Sequence, residues 1–156
     1  MQEFEKNLLA AQGYAELGMY PDALAELDVL PEVLREHPQV LEMRLLVLMQ
    51  QNQWKQAFVV SKNLCKAAPQ SPIAYIHAAF CLHELGRTDE AKLTLINGPA
   101  ALRKNPTYHY NLACYECVLG DLESARIHLE RSFTLDKKFR EFAKSDPDLK
   151  PLQEVL

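Results

Sequence analysis

Apolar side chains recur at three- and four-residue spacing along much of this chain, most clearly near its C-terminal end. The apolar or small positions there are Leu122, Ala125, Leu129, Ser132 and Phe133. Residues three and four apart share one face of an α-helix, so this spacing predicts an amphipathic helix whose apolar face is buried. The pattern indicates an all-α protein built from packed helices.

The helical pattern repeats with a period of 34 residues. One register position is always alanine, at Ala23, Ala57, Ala91 and Ala125. Five residues earlier stands a residue suited to a turn, at Gly18, Asn52, Gly86 and Gly120. This period is that of a helix-turn-helix solenoid unit. The sequence therefore predicts four repeats, at about residues 4–37, 38–71, 72–105 and 106–139, and a tail over residues 140–156.

Local chemistry supports the predicted boundaries. Ser71-Pro72, Asn105-Pro106 and Asp146-Pro147 each place a capping side chain before a proline, which is tolerated at the first helical position because the N–H there is unpaired. The turn positions need a positive φ, which glycine adopts readily and asparagine less easily. The repeated alanine lets two helix backbones approach closely, so a larger side chain there would cost ~1–3 kcal/mol.

Repeats one and three also carry proline within the predicted second helix. The motif Leu27-x3-Pro31-x2-Leu34-Arg35-x2-Pro38 recurs 68 residues later as Leu95-x3-Pro99-x2-Leu102-Arg103-x2-Pro106. An internal proline removes a backbone hydrogen bond and clashes with the preceding turn. We therefore expect these helices to break or bend near Val29–Leu30 and Asn97–Gly98, and those of repeats two and four to run straight.

The repeats resemble the tetratricopeptide repeat family over about residues 4–139. The resemblance is carried by Tyr110-Asn111-Leu112-Ala113 and Gly120-Asp121-Leu122 in repeat four, Ala78-Ala79, Leu85-Gly86 and Asp89-Glu90-Ala91 in repeat three, and Trp54, Ala57 and Pro69 in repeat two. Asn7 departs from the tryptophan that the family often has there. The resemblance implies a right-handed α-solenoid of about four helix-turn-helix repeats, forming a single domain over residues 1–156.

The closing stretch is similar to the end-of-array segment of some bacterial members of this family. It runs through Phe139-Arg140-x-Phe142 to Asp146-Pro147-Asp148-Leu149. The last repeat of a solenoid exposes an apolar face without a neighbour. We therefore expect a bacterial protein in which residues 140–156 form a cap, with Phe139, Phe142, Leu149 and Leu152 covering that face.

Composition narrows the function classes. The net charge of −4 gives no support for binding nucleic acid, which needs clustered lysine and arginine. No apolar run is long enough to span a membrane, and the acidic first residues are unlike a signal peptide. Four cysteines do not form the dense framework of a small secreted domain, so we expect reduced thiols and a cytoplasmic location.

The family resemblance implies that the first helices line a concave groove. The side chains expected there are Leu8, Gln12, Met43, Leu46, Met49, Ile73, Ile76, His77, Phe80, His83, Tyr110, Asn111 and Cys114. Such a largely apolar strip suits a peptide or amphipathic helix of a partner. The alternative is that several of these residues pack between neighbouring first helices. The Lys, Asn and Arg side chains with which one family variant grips a C-terminal carboxylate are missing, so that mode is not expected.

The sequence gives only weak signals for a catalytic or metal-binding site. Cys114-x-x-Cys117 lacks the second cysteine or histidine pair of a strong zinc motif, so packing is favoured over metal binding. The five histidines have no nucleophile partner visible in the sequence, and phosphate-loop and hydrolase motifs are absent. We expect neither catalytic residues nor a metal or cofactor.

These observations favour a noncatalytic interaction module that binds an apolar peptide or helix of a partner protein in its concave groove. Two alternatives stay open. One is a structural protein that uses the apolar strip to form a homodimer. The other is a small secretion-type chaperone, which is similar in size, helical repeats and acidity.

Overall fold

A computed structural model describes residues 4–156, and these form helices and turns without a β-strand. The chain divides into two compact units, Met1–Ala74 and Tyr75–Leu156. We call them the N-terminal unit and the C-terminal unit and describe each by itself. The all-helical fold predicted from the sequence is confirmed.

The helices follow the predicted repeats in chain order. Those that begin in the N-terminal unit are α1 (Glu5–Glu16), α2 (Tyr20–Asp28), α3 (Glu32–Arg35), α4 (Pro38–Gln50), α5 (Trp54–Ala67) and α6 (Pro72–Glu84), the last of which runs on into the C-terminal unit. The C-terminal unit continues with α7 (Thr88–Ile96), a 3₁₀ helix (Ala100–Lys104), α8 (Pro106–Val118), α9 (Leu122–Leu135), α10 (Phe139–Ala143) and a second 3₁₀ helix (Pro147–Val155).

The turns between paired helices use the residues that the sequence predicted. Their φ angles are 74° at Gly18, 58° at Asn52, 77° at Gly86 and 93° at Gly120. Each angle lies in the left-handed region, which is unfavourable for residues that have a side chain. Asparagine tolerates this conformation better than most residues. A single position in each repeat thus sets where the first helix ends.

The second helices of repeats one and three end before Pro31 and Pro99, as predicted. Helix α2 ends at Asp28 and α7 ends at Ile96, and each is nine residues long. Pro31 and Pro99 adopt nearly the same extended conformation, with φ and ψ of −56° and 148° at the first and −62° and 150° at the second. Helices α5 and α9 run without interruption for 14 residues each.

Side-chain caps confirm two of the predicted helix starts. The Oδ1 atom of Asn105 accepts a hydrogen bond from the backbone N–H of Thr107 at 2.8 Å, and Oδ1 of Asp146 accepts one from Asp148 at 3.0 Å. The segment that follows Asp146 is a 3₁₀ helix. His37, which the sequence did not single out, caps α4 in the same way through its Nδ1 atom.

The four repeated alanines are completely buried, each with 0% exposure. In the N-terminal unit, Ala23 belongs to a core cluster with Phe4, Leu27 and Val40. Helices α1 and α2 pack against each other there. A side chain larger than alanine would have to displace these neighbours, as the repeat pattern predicted.

The C-terminal segment covers apolar surface of the last helix pair, with one difference from the expectation. Leu149 and Leu152 are buried and their 3₁₀ helix packs on α8 and α9. Phe142 is 58% exposed, so its predicted role in the cap is wrong. Adjacent residues on a helix point about 100° apart, and in α10 the inward position belongs to Ala143, which is fully buried.

Candidate partner-binding surfaces

A cleft of about 300 Å³ lies in the N-terminal unit between the first helices of repeats one and two. Its lining residues are Gln12, Ala15 and Glu16 of α1 and Met43, Leu46, Val47 and Gln50 of α4. They recur at three- and four-residue spacing, so each helix presents one face to the cleft. We call this the α1–α4 cleft.

The α1–α4 cleft has apolar walls and a polar rim. Leu46 is 36% exposed, whereas Val47 is buried and Met43 packs against the core cluster. At the rim, Nε2 of Gln12 donates a hydrogen bond to Oε1 of Glu16 at 3.3 Å. Ligand sites combine an apolar surface with a few polar groups in this way.

The other predicted groove residues of the N-terminal unit lie outside this cleft. Leu8 is half-buried against the core cluster. Met49 is half-buried and Ile73 is 40% exposed. The cleft also contains residues that were not predicted from the sequence, namely Ala15, Glu16, Val47 and Gln50. Their spacing from Gln12 and Met43 was the signal that could have found them.

In the C-terminal unit, several predicted groove residues are buried. Ile76, Tyr110 and Cys114 are at most 7% exposed. His77 and Asn111 are half-buried, and burial lowers the pKa of His77. Phe80 is half-buried too. The burial of Ile76 supports the alternative given above, that some of these side chains pack between helices.

Three of the predicted residues contact the C-terminal segment of the same chain. The hydroxyl of Tyr110 donates a hydrogen bond to Oδ2 of Asp146 at 2.6 Å, and the Cys114 sulfur lies 3.7 Å from the same oxygen. Nε2 of His83 lies 2.8 Å from Oδ2 of Asp148. The sequence indicates a helix cap at Asp146 and nothing more. It carries no signal for contacts that span 36 and 65 residues.

His109 and His128 lie side by side on α8 and α9, and we call them the histidine pair. Their Nδ1 atoms are 3.5 Å apart, and Nε2 of His109 donates to the carbonyl of Arg103 at 2.8 Å. With its Nε2 proton engaged, neutral His109 accepts at Nδ1, and His128 must donate there. Burial lowers the pKa of both histidines, and the charge of His109 further lowers that of His128.

Two further clefts contain none of the predicted groove residues. One of about 350 Å³ in the C-terminal unit is lined by Arg126, Leu129, Glu130, Phe133, Arg140, Leu152, Val155 and Leu156. The other, of about 320 Å³ in the N-terminal unit, is lined by Asp28, Glu32, Arg35, Glu36, Leu41, Arg44, Val60 and Asn63. The second is mainly polar, and Arg44 pairs there with Asp28 at 2.6 Å. Of these three clefts, the α1–α4 cleft is the one lined by residues of the predicted groove.

The fold and this surface define a class, that of helix-turn-helix repeat proteins. The sequence profile of the tetratricopeptide repeat family matches residues 48–113. No curated protein matches the sequence. Within residues 4–156, no helix is both long and apolar enough to cross a membrane.

Solved structures share the fold at low sequence identity. MamA from Desulfovibrio magneticus RS-1, in a form beginning at its residue 41, superposes with a TM-score of 0.76 at 19% identity, over 87% of this chain and 77% of that one. A double mutant of MamA RS-1 gives a TM-score of 0.76 at 19% identity, over 92% and 79%. TTC0263, a thermophilic tetratricopeptide repeat protein of Thermus thermophilus, gives 0.70 at 19% identity, over 99% and 81%.

Residues 48–113 therefore match the tetratricopeptide repeat family, and the solved structures share the helix-turn-helix repeat fold of the chain. Proteins of this family are generally noncatalytic interaction modules. A shared fold does not fix a function, so the role of this chain has to be argued from its surface.

Proposed function

We propose that this protein is a noncatalytic interaction module that binds an apolar segment of a partner protein in the α1–α4 cleft. The observation that carries the proposal is the combination of Leu46, which reaches solvent, with the apolar walls supplied by Met43 and Val47. A partner helix or extended peptide would insert an apolar side chain there. Gln12 and Gln50 at the rim offer amide groups to its backbone or polar side chains.

The proposed site is narrower than the groove predicted from sequence. Tyr110, Cys114 and His83 contact the aspartates of the chain's own C-terminal segment, so a partner would have to displace those contacts to use them. The α1–α4 cleft requires no such displacement. It contains three of the predicted residues, namely Gln12, Met43 and Leu46.

A cytoplasmic location belongs to the same proposal. All four cysteines are free thiols, and three of them are buried. Burial raises the pKa of Cys65 to about 11 and contributes to raising that of Cys81 to about 12, so both stay protonated and unreactive at neutral pH. Unpaired cysteines suit a reducing compartment.

The test selects peptides on the wild-type protein from a phage-displayed random library and measures each synthetic peptide by calorimetry. Leu46→Glu places a charge on the apolar wall and should weaken binding at least tenfold, a loss of about 1.4 kcal/mol. The matched control is Leu9→Glu, also on a first helix and 62% exposed but not part of the cleft lining. Peptides without apolar anchors, or equal losses in both variants, would place binding elsewhere.

Self-association is the competing function, and sedimentation separates the two. A monomer over the micromolar range, in the wild type and in Leu46→Glu, is expected if the cleft serves a different protein. A dimer that dissociates in Leu46→Glu but not in Leu9→Glu would instead show that the cleft binds a second copy of this chain.

A further inference from the structure

Three side chains with metal-binding atoms converge in the C-terminal unit. Cys114 lies on α8, and Asp146 and Asp148 flank Pro147 at the start of the last 3₁₀ helix. The cysteine sulfur and one carboxylate oxygen from each aspartate all lie within 4.8 Å of one another. Cys114 is 4% exposed, so the group lies at the base of the contact between α8 and the C-terminal segment.

The spacing of these atoms fits a transition-metal ion. Zinc binds cysteine sulfur at about 2.3 Å and carboxylate oxygen at about 2.0–2.2 Å, so tetrahedral ligand atoms lie about 3.5 Å apart. The Cys114 sulfur is 3.7 Å from Oδ2 of Asp146.

Neighbouring residues hold the two carboxylates in place. The hydroxyl of Tyr110 donates to Asp146. Nε2 of His83 lies against Asp148, while its other ring nitrogen, Nδ1, is 2.9 Å from the hydroxyl of Thr88. Metal ligands are commonly oriented by such outer partners, which are themselves hydrogen-bonded. His83 is thus a positioning residue for Asp148.

A second, independent observation comes from Tyr115. Its side chain is 1% exposed, its ring packs against His83 at 4.9 Å, and its hydroxyl has no hydrogen-bond partner among residues 4–156. A buried hydroxyl is rarely left unpaired, and a water bound to an ion in this neighbourhood would accept a hydrogen bond from it.

We propose that Cys114, Asp146 and Asp148 form a binding site for a divalent transition-metal ion of the zinc class, with water completing the coordination. The mixture of thiolate and carboxylate favours zinc or cobalt over magnesium and calcium, which prefer oxygen ligands alone. On binding, the Cys114 S–H bond breaks, the proton leaves to solvent, and a sulfur–metal bond forms as the ion loses hydration water. The ion would then join α8 to the C-terminal segment.

This site differs from the one that the Cys114-x-x-Cys117 spacing suggests. Cys117 is one turn further along α8 and does not belong to the converging group. From the sequence alone, Cys117 would be the second ligand, but a single Cys-x-x-Cys is a weak metal-binding motif and favours a packing role for both cysteines. The structure instead supplies carboxylates that lie more than thirty residues away in the chain.

Cobalt substitution tests the proposal, because a cobalt–thiolate bond produces a near-ultraviolet charge-transfer band that other ligands do not give. The full chain, freed of metal by a chelator, is titrated with Co²⁺ and then with Zn²⁺. We expect the band to appear with Co²⁺ and to disappear when Zn²⁺ displaces it. Failure of the band to appear in excess Co²⁺ would overturn the proposal.

Matched variants locate the ion. Cys114→Ser should abolish the band, whereas Cys117→Ser, also buried on α8, should retain it. Asp148→Asn should weaken Co²⁺ binding at least tenfold, and because Asp148 is 35% exposed this variant should fold even if Cys114→Ser does not. His83→Gln should weaken binding while leaving the band position unchanged. Loss of the band in Cys117→Ser, or binding indifferent to Asp148→Asn, would refute the site.

Discussion

Truncation of Leu149 tests whether the C-terminal segment is an integral part of the packed C-terminal unit. Its side chain is fully buried where the last 3₁₀ helix packs on α8 and α9. Leu149→Ala removes three carbon atoms from this contact and leaves a cavity that the surrounding helices fill only in part. Together these two effects typically cost about 2–5 kcal/mol in the free energy of unfolding.

Phe142→Ala is the matched comparison, since the sequence predicts the same capping role for both residues. Phe142 is 58% exposed and makes an edge-on contact with Phe139 at 5.6 Å. Losing that contact should cost about 0.5–1.5 kcal/mol. Urea unfolding of the full chain, followed by far-ultraviolet circular dichroism, measures both losses. A loss for Phe142→Ala equal to or larger than that for Leu149→Ala would refute the assignment of the buried face.

Three further predictions concern stability. Ala23→Leu should lower the free energy of unfolding by about 1–3 kcal/mol because the larger side chain overpacks the core. Ala25→Leu, on the exposed side of α2, should leave it almost unchanged. Equal effects of the two substitutions in urea unfolding would contradict the packing argument. Gly18→Ala should lower the free energy of unfolding by about 1–2 kcal/mol because the φ of Gly18 is 74°. Gly13→Ala, within α1, should instead raise the melting temperature. A stabilising effect of Gly18→Ala would contradict the left-handed conformation of this turn. Because burial lowers the pKa of both members of the histidine pair, the unfolded state binds more protons below about pH 6.5, so the free energy of unfolding should fall as pH is lowered from about 7 to 5.5. Replacing both histidines with glutamine should reduce that slope, and an unchanged slope would rule out the pair as its source.

The turns and breaks could be predicted because each depends on one residue and its nearest neighbours. A positive φ selects Gly18 or Asn52 whatever surrounds the turn. Pro31 and Pro99 end their helices through their own missing N–H and ring. Such local effects can be predicted from the sequence without knowing how the helices pack.

The candidate sites were harder to predict because burial depends on packing between helices. Gln12, Met43 and Leu46 line one cleft, but the resemblance from which they were predicted does not distinguish the accessible Leu46 from the buried Ile76. Helix α10 has five residues, too few for a periodic pattern to show that Ala143 rather than Phe142 faces inward.

The short turns between paired helices have a consequence for the rate of folding. Each first helix is joined to its second by three residues, as at 17–19 and 119–121, so most packing partners are close in sequence and little entropy is lost in closing the loops. Chains dominated by such local contacts fold within microseconds to milliseconds. The pairing of His83 with Asp148 joins residues 65 apart in the sequence and should form after the helix pairs. Asp148→Ala should therefore accelerate unfolding and leave the folding rate nearly unchanged, which makes this aspartate a determinant of how long the native state persists.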